Sequence, residues 1–435
     1  MRFPLLALVL SPALLLVAAQ ARAQTPMGVA SDDESIGTKP ARSKAVQAAP
    51  APMDAAPSQA DSASADVLTM DQEAQVSIVG RSRNAPIATD PPGNWAVLHA
   101  GLRPRVGTFG GIATFALAHA RTERFYGGLS FSAVRNDAGT HIGIAQVALG
   151  RNLSDTFGGG VQLSISENRA RTFIGAGQFA LAYNRSLSFT GITQVAGFNR
   201  AKTFTGLAQI GPYNRTDESF AGVAEIGAYN HSYRDFSGIV QLGVVSATGP
   251  AILGVETTYH QERFAGVAQI GVLSSANGDF YGLTQVGAAV STTGNFRGLV
   301  QVGALGAQAG SFHGLAQVGV VALSRESIGI QLGGASIATH EHTGIQLGAA
   351  GNYARAVDGA QLGVVNIAEK VRGLQVGLFN HARSLRGMQI GLVNHADDGV
   401  LPWTALLNMG FGDGLDERDE DDRKSARAKS SRAGL

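Results

Sequence analysis

The chain has no cysteine and few charged residues. Its 435 residues include 34 Lys and Arg against 33 Asp and Glu, so the charged share is 15% and the formal net charge is +1. The missing cysteines exclude disulfides, thiolate metal sites, a cysteine nucleophile and the lipid-modified cysteine of a bacterial lipoprotein. The near-zero charge provides no basic field, so we expect no nucleic-acid partner, and it provides no acidic field for cations.

Glycine, in contrast, is abundant, at 57 positions, which is about 13% of the chain against an average near 7%. Long helices are unfavourable at this density because glycine loses more backbone entropy on folding than any other residue. A glycine-rich, aliphatic and weakly charged composition therefore predicts an all-β protein.

The first 23 residues have the pattern of a secretory signal peptide. An apolar stretch runs from Leu5 to Ala19, and the small residues Ala21 and Ala23 follow it at the spacing of a cleavage site. The alternative, an uncleaved membrane anchor, is disfavoured because the stretch is short and broken by Pro12. We therefore expect an exported protein of the cell envelope, outer membrane or cell surface of a Gram-negative-type bacterium.

Composition divides the rest of the chain into three segments. Residues 24–85 are mostly Ala, Pro, Ser, Asp and Gln, and such a segment is predicted to be disordered because it has too little apolar surface to bury. Residues 86–412 form a β-repeat domain of about 19 units. Residues 413–435 contain an acidic run and then a basic run, which is typical of a solvated, disordered tail.

The repeat is anchored on a glycine that recurs about every 15 residues. Its consensus is Phe-x-Gly-Leu-x-Gln-Val-Gly, and the anchors are Gly111, Gly127, Gly143, Gly159, Gly175, Gly191, Gly206, Gly222, Gly238, Gly254, Gly266, Gly282, Gly298, Gly314, Gly329, Gly344, Gly359, Gly373 and Gly387. Alternation of period two, as in residues 264–272, predicts one strand of roughly eight to ten residues per unit. The polar segments 230–235, 274–279 and 291–295 are predicted turns.

Three residue types recur in columns when the units are aligned. The Phe column comprises Phe157, Phe173, Phe189, Phe204, Phe220, Phe236, Phe264, Phe280, Phe296 and Phe312. The Gln column comprises Gln146, Gln162, Gln178, Gln194, Gln209, Gln241, Gln269, Gln285, Gln301, Gln317, Gln331, Gln346, Gln361, Gln375 and Gln389, with Glu225 and Glu256 as substitutes. The Asn column comprises Asn184, Asn199, Asn214, Asn230, Asn366, Asn380 and Asn394.

Two architectures fit these columns. In a parallel β-solenoid each unit is one coil, and like side chains stack with amide ladders along the stack. In an antiparallel up-and-down outer-membrane β-barrel each unit is one strand and one turn. In a meander, turns two units apart should resemble each other most, but here adjacent turns resemble each other and drift in blocks, as in residues 183–231. This favours the solenoid. The barrel is the alternative fold, and a pore or transport protein is the alternative function.

The last units, residues 373–399, and the ending LPWTALLNMGFG at 401–412 resemble the bacterial surface-repeat proteins built from tandem GLQIGLxN motifs. The resemblance covers roughly residues 105–412, and the longer units of 143–320 depart from the 14-residue form. It implies an exported envelope or surface protein of largely unassigned function, and the motif contains no catalytic residue.

Two groups of residues were considered for chemistry. His340-Glu341-His342 is the only His-x-His, but no third metal ligand is fixed by the sequence, and solvated turn histidines are the favoured interpretation. Glu225 and Glu256 could act as an acid/base pair, about 10 Å apart in a parallel stack. Drift from Gln to Glu in a tolerant outward or lumenal ladder is favoured instead.

The sequence therefore assigns no catalytic residue, no cofactor-binding residue, no cofactor and no metal ligand. The expected protein is a non-enzymatic, exported envelope or surface repeat protein with a structural, adhesive or interaction role. Its partner is an unidentified envelope or surface component, and the outer membrane is a possible one.

Signal-peptide cleavage is directly testable. We expect cleavage after Ala23, because the small residues there fit the cleavage site of a signal peptidase. The mass of the N-terminal peptide of protein from the producing cell should then start at Gln24. Retention of Met1 would contradict the prediction.

Overall fold

The computed structural model describes residues 76–82, 93–250 and 262–412. Within these ranges the chain is all-β and has no helix. The predicted signal peptide, the predicted charged tail and most of the predicted disordered segment lie outside the described residues. Val76–Ser82, which fell inside that segment, forms strand β1 and pairs antiparallel with β2, so regular structure begins earlier than expected.

There are 24 strands in the described ranges. In chain order they are β1 (Val76–Ser82), β2 (Gly93–Gly101), β3 (Arg105–Ala116), β4 (His119–Ser132), β5 (Arg135–Ala148), β6 (Arg151–Ser164), β7 (Glu167–Ala180), β8 (Tyr183–Val195), β9 (Phe198–Thr205), β10 (Ala208–Ile210), β11 (Tyr213–Ala221), β12 (Ala224–Ile226), β13 (Tyr229–Ser232), β14 (Asp235–Ser237), β15 (Val240–Leu242), β16 (Val245–Thr248), β17 (Arg263–Ala265), β18 (Ala268–Ile270), β19 (Leu273–Ala276), β20 (Asp279–Tyr281), β21 (Thr284–Arg297), β22 (Val300–Val376), β23 (Phe379–Ala396) and β24 (Trp403–Phe411).

The strands from β2 to β23 pair in parallel, so that each residue lies beside its counterpart in the next unit. For example, β6 and β7 align Phe157 with Phe173 and Gln162 with Gln178. The result is a β-solenoid of about 18 turns, as the repeat pattern favoured, and not a barrel. Antiparallel strands close the stack at each end, where β1 pairs with β2 and β24 pairs with β23.

The chain bends twice within a turn, and this differs from the predicted single strand per unit. One turn contains three short strands, β17, β18 and β19. Phe264, Gln269 and Ser274 each lie near the middle of one of them, and all three side chains are buried. The prediction that Phe264 and Gln269 face opposite sides was wrong, because the chain turns a corner at Gly266, between the two strands.

The three polar segments predicted to be turns are also largely strand. Segment 230–235 contains most of β13, segment 274–279 contains most of β19, and segment 291–295 lies within β21. Asn230, Ser274 and Ser291, one from each segment, are buried in the solenoid. Ser274 Oγ donates a hydrogen bond of 2.9 Å to the Val286 carbonyl. Buried polar side chains thus find backbone acceptors in the adjacent turn, and composition alone made the segments look solvated.

Glycine is required at the corner after the Phe column. A Cβ on Gly222 would lie 2.7 Å from Gly206 O and 2.9 Å from the Phe220 ring. The Phe and Gln columns are five residues apart up to Phe312 and Gln317, but only four apart in the later, shorter turns. In those turns the corner glycines adopt positive φ values from 129° to 141°, at Gly329, Gly344, Gly359, Gly373 and Gly387. A tighter corner therefore uses a conformation that other residues rarely adopt.

The apolar core of the turns from Phe109 to Phe312 is a stack of aromatic rings, and aliphatic side chains such as Val357, Val371 and Leu385 form the core of later turns. The inward Phe side chains of the stack are buried, and adjacent rings are nearly parallel, with centroids 4.9 Å apart for Phe173 and Phe189. Parallel strands are spaced about 4.8 Å apart, so the ring spacing follows directly from the stacking of the turns.

The unit predicted around Gly254 lies outside the described residues. On either side of it β15 pairs directly with β18, so that Gln241 aligns with Gln269, and Phe236 aligns with Phe264 in the same way. The described turns before and after residues 251–261 are therefore direct neighbours in the stack.

Removal of one complete turn should be tolerated better than removal of half a turn. Deletion of residues 281–296 places Arg297 after Phe280 and lets Gln301 stack on Gln269, so we expect a thermal midpoint within a few degrees of the parent, roughly the contribution of one turn. Deletion of residues 281–288 removes Gln285 and Gly282 but keeps Phe296, and should lower the midpoint by about 10 °C or more. Far-UV circular dichroism melts measure both, and equal losses would contradict the solenoid register.

Candidate functional site

The Gln column forms a buried ladder of side-chain amides on both sides of Glu225. Where the preceding turn holds a Gln, Nε2 donates a hydrogen bond to its Oε1, as from Gln178 to Gln162 at 2.7 Å and from Gln285 to Gln269 at 2.8 Å. The side chains are fully buried. At the C-terminal end, Asn408 of β24 donates to Gln389 Oε1 at 3.2 Å, so the capping strand satisfies the last acceptor.

The Asn column forms a second ladder of opposite polarity. Here Nδ2 donates to the Asn of the following turn, as from Asn184 to Asn199 at 3.1 Å and from Asn380 to Asn394 at 2.8 Å. The same Nδ2 also donates to a backbone carbonyl, as from Asn184 to Val195 O at 3.0 Å. In the middle turns Ser246 and Ser274 occupy this column and make the carbonyl bond alone.

Glu225 occupies a Gln position and interrupts the Gln ladder. Its Oε2 accepts hydrogen bonds from Gln241 Nε2 at 2.8 Å and from Ser232 at 3.3 Å. Its Oε1 and the Oε1 of its aligned neighbour Gln209 are both buried without a hydrogen-bond partner. Full burial raises the pKa of Glu225 to about 7, because desolvation disfavours the carboxylate. A protonated Oε1 of Glu225 could donate a hydrogen bond to Oε1 of Gln209, its aligned neighbour.

Of the two predicted positions of the ladder, outward or lumenal, the outward one was therefore wrong, because the ladder lies inside the solenoid. Glu256 lies outside the described residues, so its predicted pairing with Glu225 does too. The described neighbours in the ladder, Gln241 and Gln269, are joined by a hydrogen bond of 2.9 Å. The described residues thus place no second carboxylate in the ladder beside Glu225.

His342 is buried, whereas the sequence predicted a solvated turn. It occupies the Phe position of its turn, its two ring nitrogens have no hydrogen-bond partner, and burial lowers its pKa to about 4. His141 is equivalent in an earlier turn: it stacks on Phe125 at 4.4 Å, and burial lowers its pKa to about 4. Both are neutral rings of the core at pH 7. Glu341 is exposed and His340 is half-buried.

Neither group considered for chemistry forms a site. Across the described ranges no three His, Cys, Asp or Glu side chains are grouped to hold a metal ion. The same residues contain no helix that is long and apolar enough to span a bilayer.

An apolar face on the outside of the solenoid is the candidate functional site. We call it the Gln face, defined as the outward side chains from two residues before to three residues after each member of the Gln column, from window 144–149 to window 387–392. Its outward side chains are almost all Ala, Val, Leu or Ile, and within the described windows none is charged. Exposed members include Ile144, Ile192, Leu207, Ile239, Leu283, Leu299, Leu315, Leu181, Val244, Val320, Leu378 and Leu392.

The charged residues lie on the other two sides of the turn. Ion pairs there link adjacent turns, such as Arg200 with Asp217 at 2.9 Å and Lys202 with Glu218 at 3.2 Å. A row of aromatic rings, Tyr183, Phe198, Tyr213 and Tyr229, stacks along one edge of this surface with centroids about 5 Å apart. Polar and apolar surfaces are thus segregated around the turn.

The Gln face could have been recognised from the apolar residues around each Gln, but the prediction of one regular strand per unit prevented this. Apolar residues flank nearly every Gln of the column, yet a single strand of period two places half of them inside. The corners on either side of the Gln strand also turn outward the side chains two residues before and three residues after each Gln.

Comparison with protein-family models, with curated proteins and with solved structures finds no match for this chain. The β-solenoid repeat fold itself is consistent with a structural or surface repeat protein.

Replacement of Glu225 by Gln should remove a pH-dependent loss of stability. The folded pKa of Glu225, about 7, lies above the unfolded value of 4.5. At pH 4 the carboxyl group is protonated in both states and does not lower the free energy of unfolding. Between pH 4.5 and 7 it lowers that free energy by an amount that grows to the order of 3 kcal/mol. The thermal midpoint of Glu225→Gln should therefore match that of the parent at pH 4 and exceed it at pH 8.

The exposed Glu326 provides the control. Glu326→Gln should leave the midpoint within about 2 °C of the parent at both pH values, since isolated surface changes have small effects. Parallel pH profiles for Glu225→Gln and the parent would show that Glu225 is not the titrating group.

Proposed function

We propose that this protein is a non-enzymatic, exported repeat protein of the envelope or surface of a Gram-negative-type bacterium, and that it works as an interaction scaffold through its Gln face. The observation that carries the proposal is the continuous, uncharged and exposed apolar surface along the solenoid. Monomeric soluble proteins rarely expose contiguous apolar patches of more than a few hundred Å².

The repetition of the Gln face supports a scaffold role. Each turn presents nearly the same apolar side chains at nearly the same spacing, so a partner can make many similar contacts along the stack. Such contacts add through effective concentration even when each is weak. Catalysis, in contrast, uses unlike groups that converge on one point.

The location of the unusual polar groups supports the same proposal. Glu225, His141 and His342 have ionisation properties shifted by burial, which is often a sign of catalysis. All three are enclosed in the stack, with side chains that are at most 1% exposed, and their neighbours are the ladder and the aromatic rings. Their role is therefore assigned to the core.

The proposal is tested by thiol labelling, which is clean because the chain has no native cysteine. Leu299→Cys places a thiol on the Gln face, and Thr293→Cys places one on another side of a neighbouring turn; both parent residues are exposed. In producing cells with a permeabilised outer membrane and an intact inner membrane, an impermeant maleimide should label Thr293→Cys and spare Leu299→Cys. Both should react after denaturation.

Two outcomes contradict the proposal. Absence of labelling at both positions until the inner membrane is lysed would show that the protein is not exported. Equal labelling at both positions in the cell would show that the Gln face is not covered by a partner.

A further inference from the structure

We propose that the Gln face pairs with the Gln face of a second copy of this chain. This inference rests on the proposed function, because it names the partner of the surface that was assigned there. It concerns the described part of the face, between residues 144 and 392.

The area of the Gln face is sufficient for a stable dimer. About 16 turns at a strand spacing of about 4.8 Å give a length near 75 Å, and a width of about 15 Å gives roughly 1,100 Å². A standard protein interface buries about 800 Å² on each partner. The face therefore exceeds that requirement without any contribution from the remainder of the solenoid.

The chemistry of the face suits a copy of itself. A two-fold interface brings the same patch of both partners together, so it must be self-complementary. A charged patch would place like charges opposite each other, but the described outward side chains of the Gln face include no charge. The only ionisable residue in its windows, Glu225, points inward and is fully buried. Pairing thus removes aliphatic surface from water and desolvates no ion.

The relief of the face also permits interdigitation. In three consecutive turns the large exposed side chains of Leu283, Leu299 and Leu315 lie two residues before the Gln. The residues directly before the Gln of the same turns are the smaller Thr284, Val300 and Ala316. In this part of the face a ridge of Leu side chains therefore runs beside a lower row, and it ends where Gly329 takes the ridge position. Close packing between flat sheet faces depends on such complementary rows.

A lipid surface is the other apolar partner to consider, and binding to anionic lipid is strengthened by basic residues beside the apolar face. Near the aromatic row Arg200 and Arg215 share Asp217, at 2.9 and 2.6 Å, and Lys202 contacts Glu218 at 3.2 Å. Arg185 and Arg234 line the same cleft, so its basic side chains exceed its acidic ones. Lipid binding is therefore one of the outcomes that the test distinguishes.

The test uses protein purified from the exporting cell and three lysines on the Gln face. Ile239→Lys, Leu283→Lys and Leu315→Lys lie two turns apart from each other, and all three parent side chains are at least half exposed, at 51%, 50% and 61%. The matched control is Thr156→Lys, Thr293→Lys and Thr339→Lys, which adds the same charge at exposed positions outside the Gln face.

Sedimentation velocity at micromolar concentration gives the readout. The parent and the control should have twice the mass of the chain, and the Gln-face variant should have the mass of a monomer, with a dimer dissociation constant at least about 100-fold weaker. Unchanged far-UV circular dichroism in all three shows that the fold is retained. If the triple variant is unfolded, the three single-lysine variants are used instead, and each should weaken the dimer to an intermediate extent.

Three results would overturn the inference. One is a monomeric parent up to 100 µM, including a monomer that floats with anionic phosphatidylglycerol vesicles, which would assign the face to lipid. The second is a dimer that persists in the Gln-face variant, and the third is a dimer lost equally in the control. Protection of Leu299→Cys in the cell together with a monomeric purified parent would leave the proposed function standing and remove only the second copy as partner.

Discussion

The hydrogen bond between the side-chain amides of successive turns is the constraint on which this solenoid depends. A buried amide without a partner costs more than a satisfied one gains, so each Gln needs a Gln at the same position of the next turn. That requirement fixes the parallel direction and the register together, because a shift by one residue would move every amide off its partner. The Asn ladder imposes the same register on another side of the turn with the opposite donor direction.

The two kinds of column tolerate substitution differently, and the reason is directional bonding. The ring stack accepts His141 among its Phe side chains, and beyond Phe312 the same positions hold Ser327, His342, Val357 and other residues. Apolar contact requires only volume and shape. The Gln column, in contrast, has one exception among the described turns from Gln146 to Gln389, Glu225, and the exception leaves unpartnered oxygens on both sides of the break.

The sequence predicted the columns and the parallel stacking, since both follow from repetition. It did not predict the bends within a turn, because Phe264 and Gln269 are five residues apart and a regular strand with a period of two would separate them. Because of the same error, Ser274 was placed in a turn although it is buried, and the Gln face was not recognised. The sequence also did not predict that Gln241 pairs directly with Gln269, since the repeat counts one further unit, around Gly254, between them. The burial of His342 could be predicted only by recognising that it occupies the Phe position of its turn.

The interior of this molecule is occupied by groups whose bonds hold one turn to the next, so recognition has to come from the outside. Polar residues on the outer surface would have been compatible with the same ladder, because the ladder depends only on inward side chains. The outward neighbours of Gln are nonetheless aliphatic in turn after turn, at positions where folding leaves them substantially exposed. Stability of the isolated chain does not explain this choice, since an exposed Leu contributes little to it. Removal of the face from water by the proposed partner would explain it, and that is why we propose that function lies on the Gln face rather than on the ladder it covers.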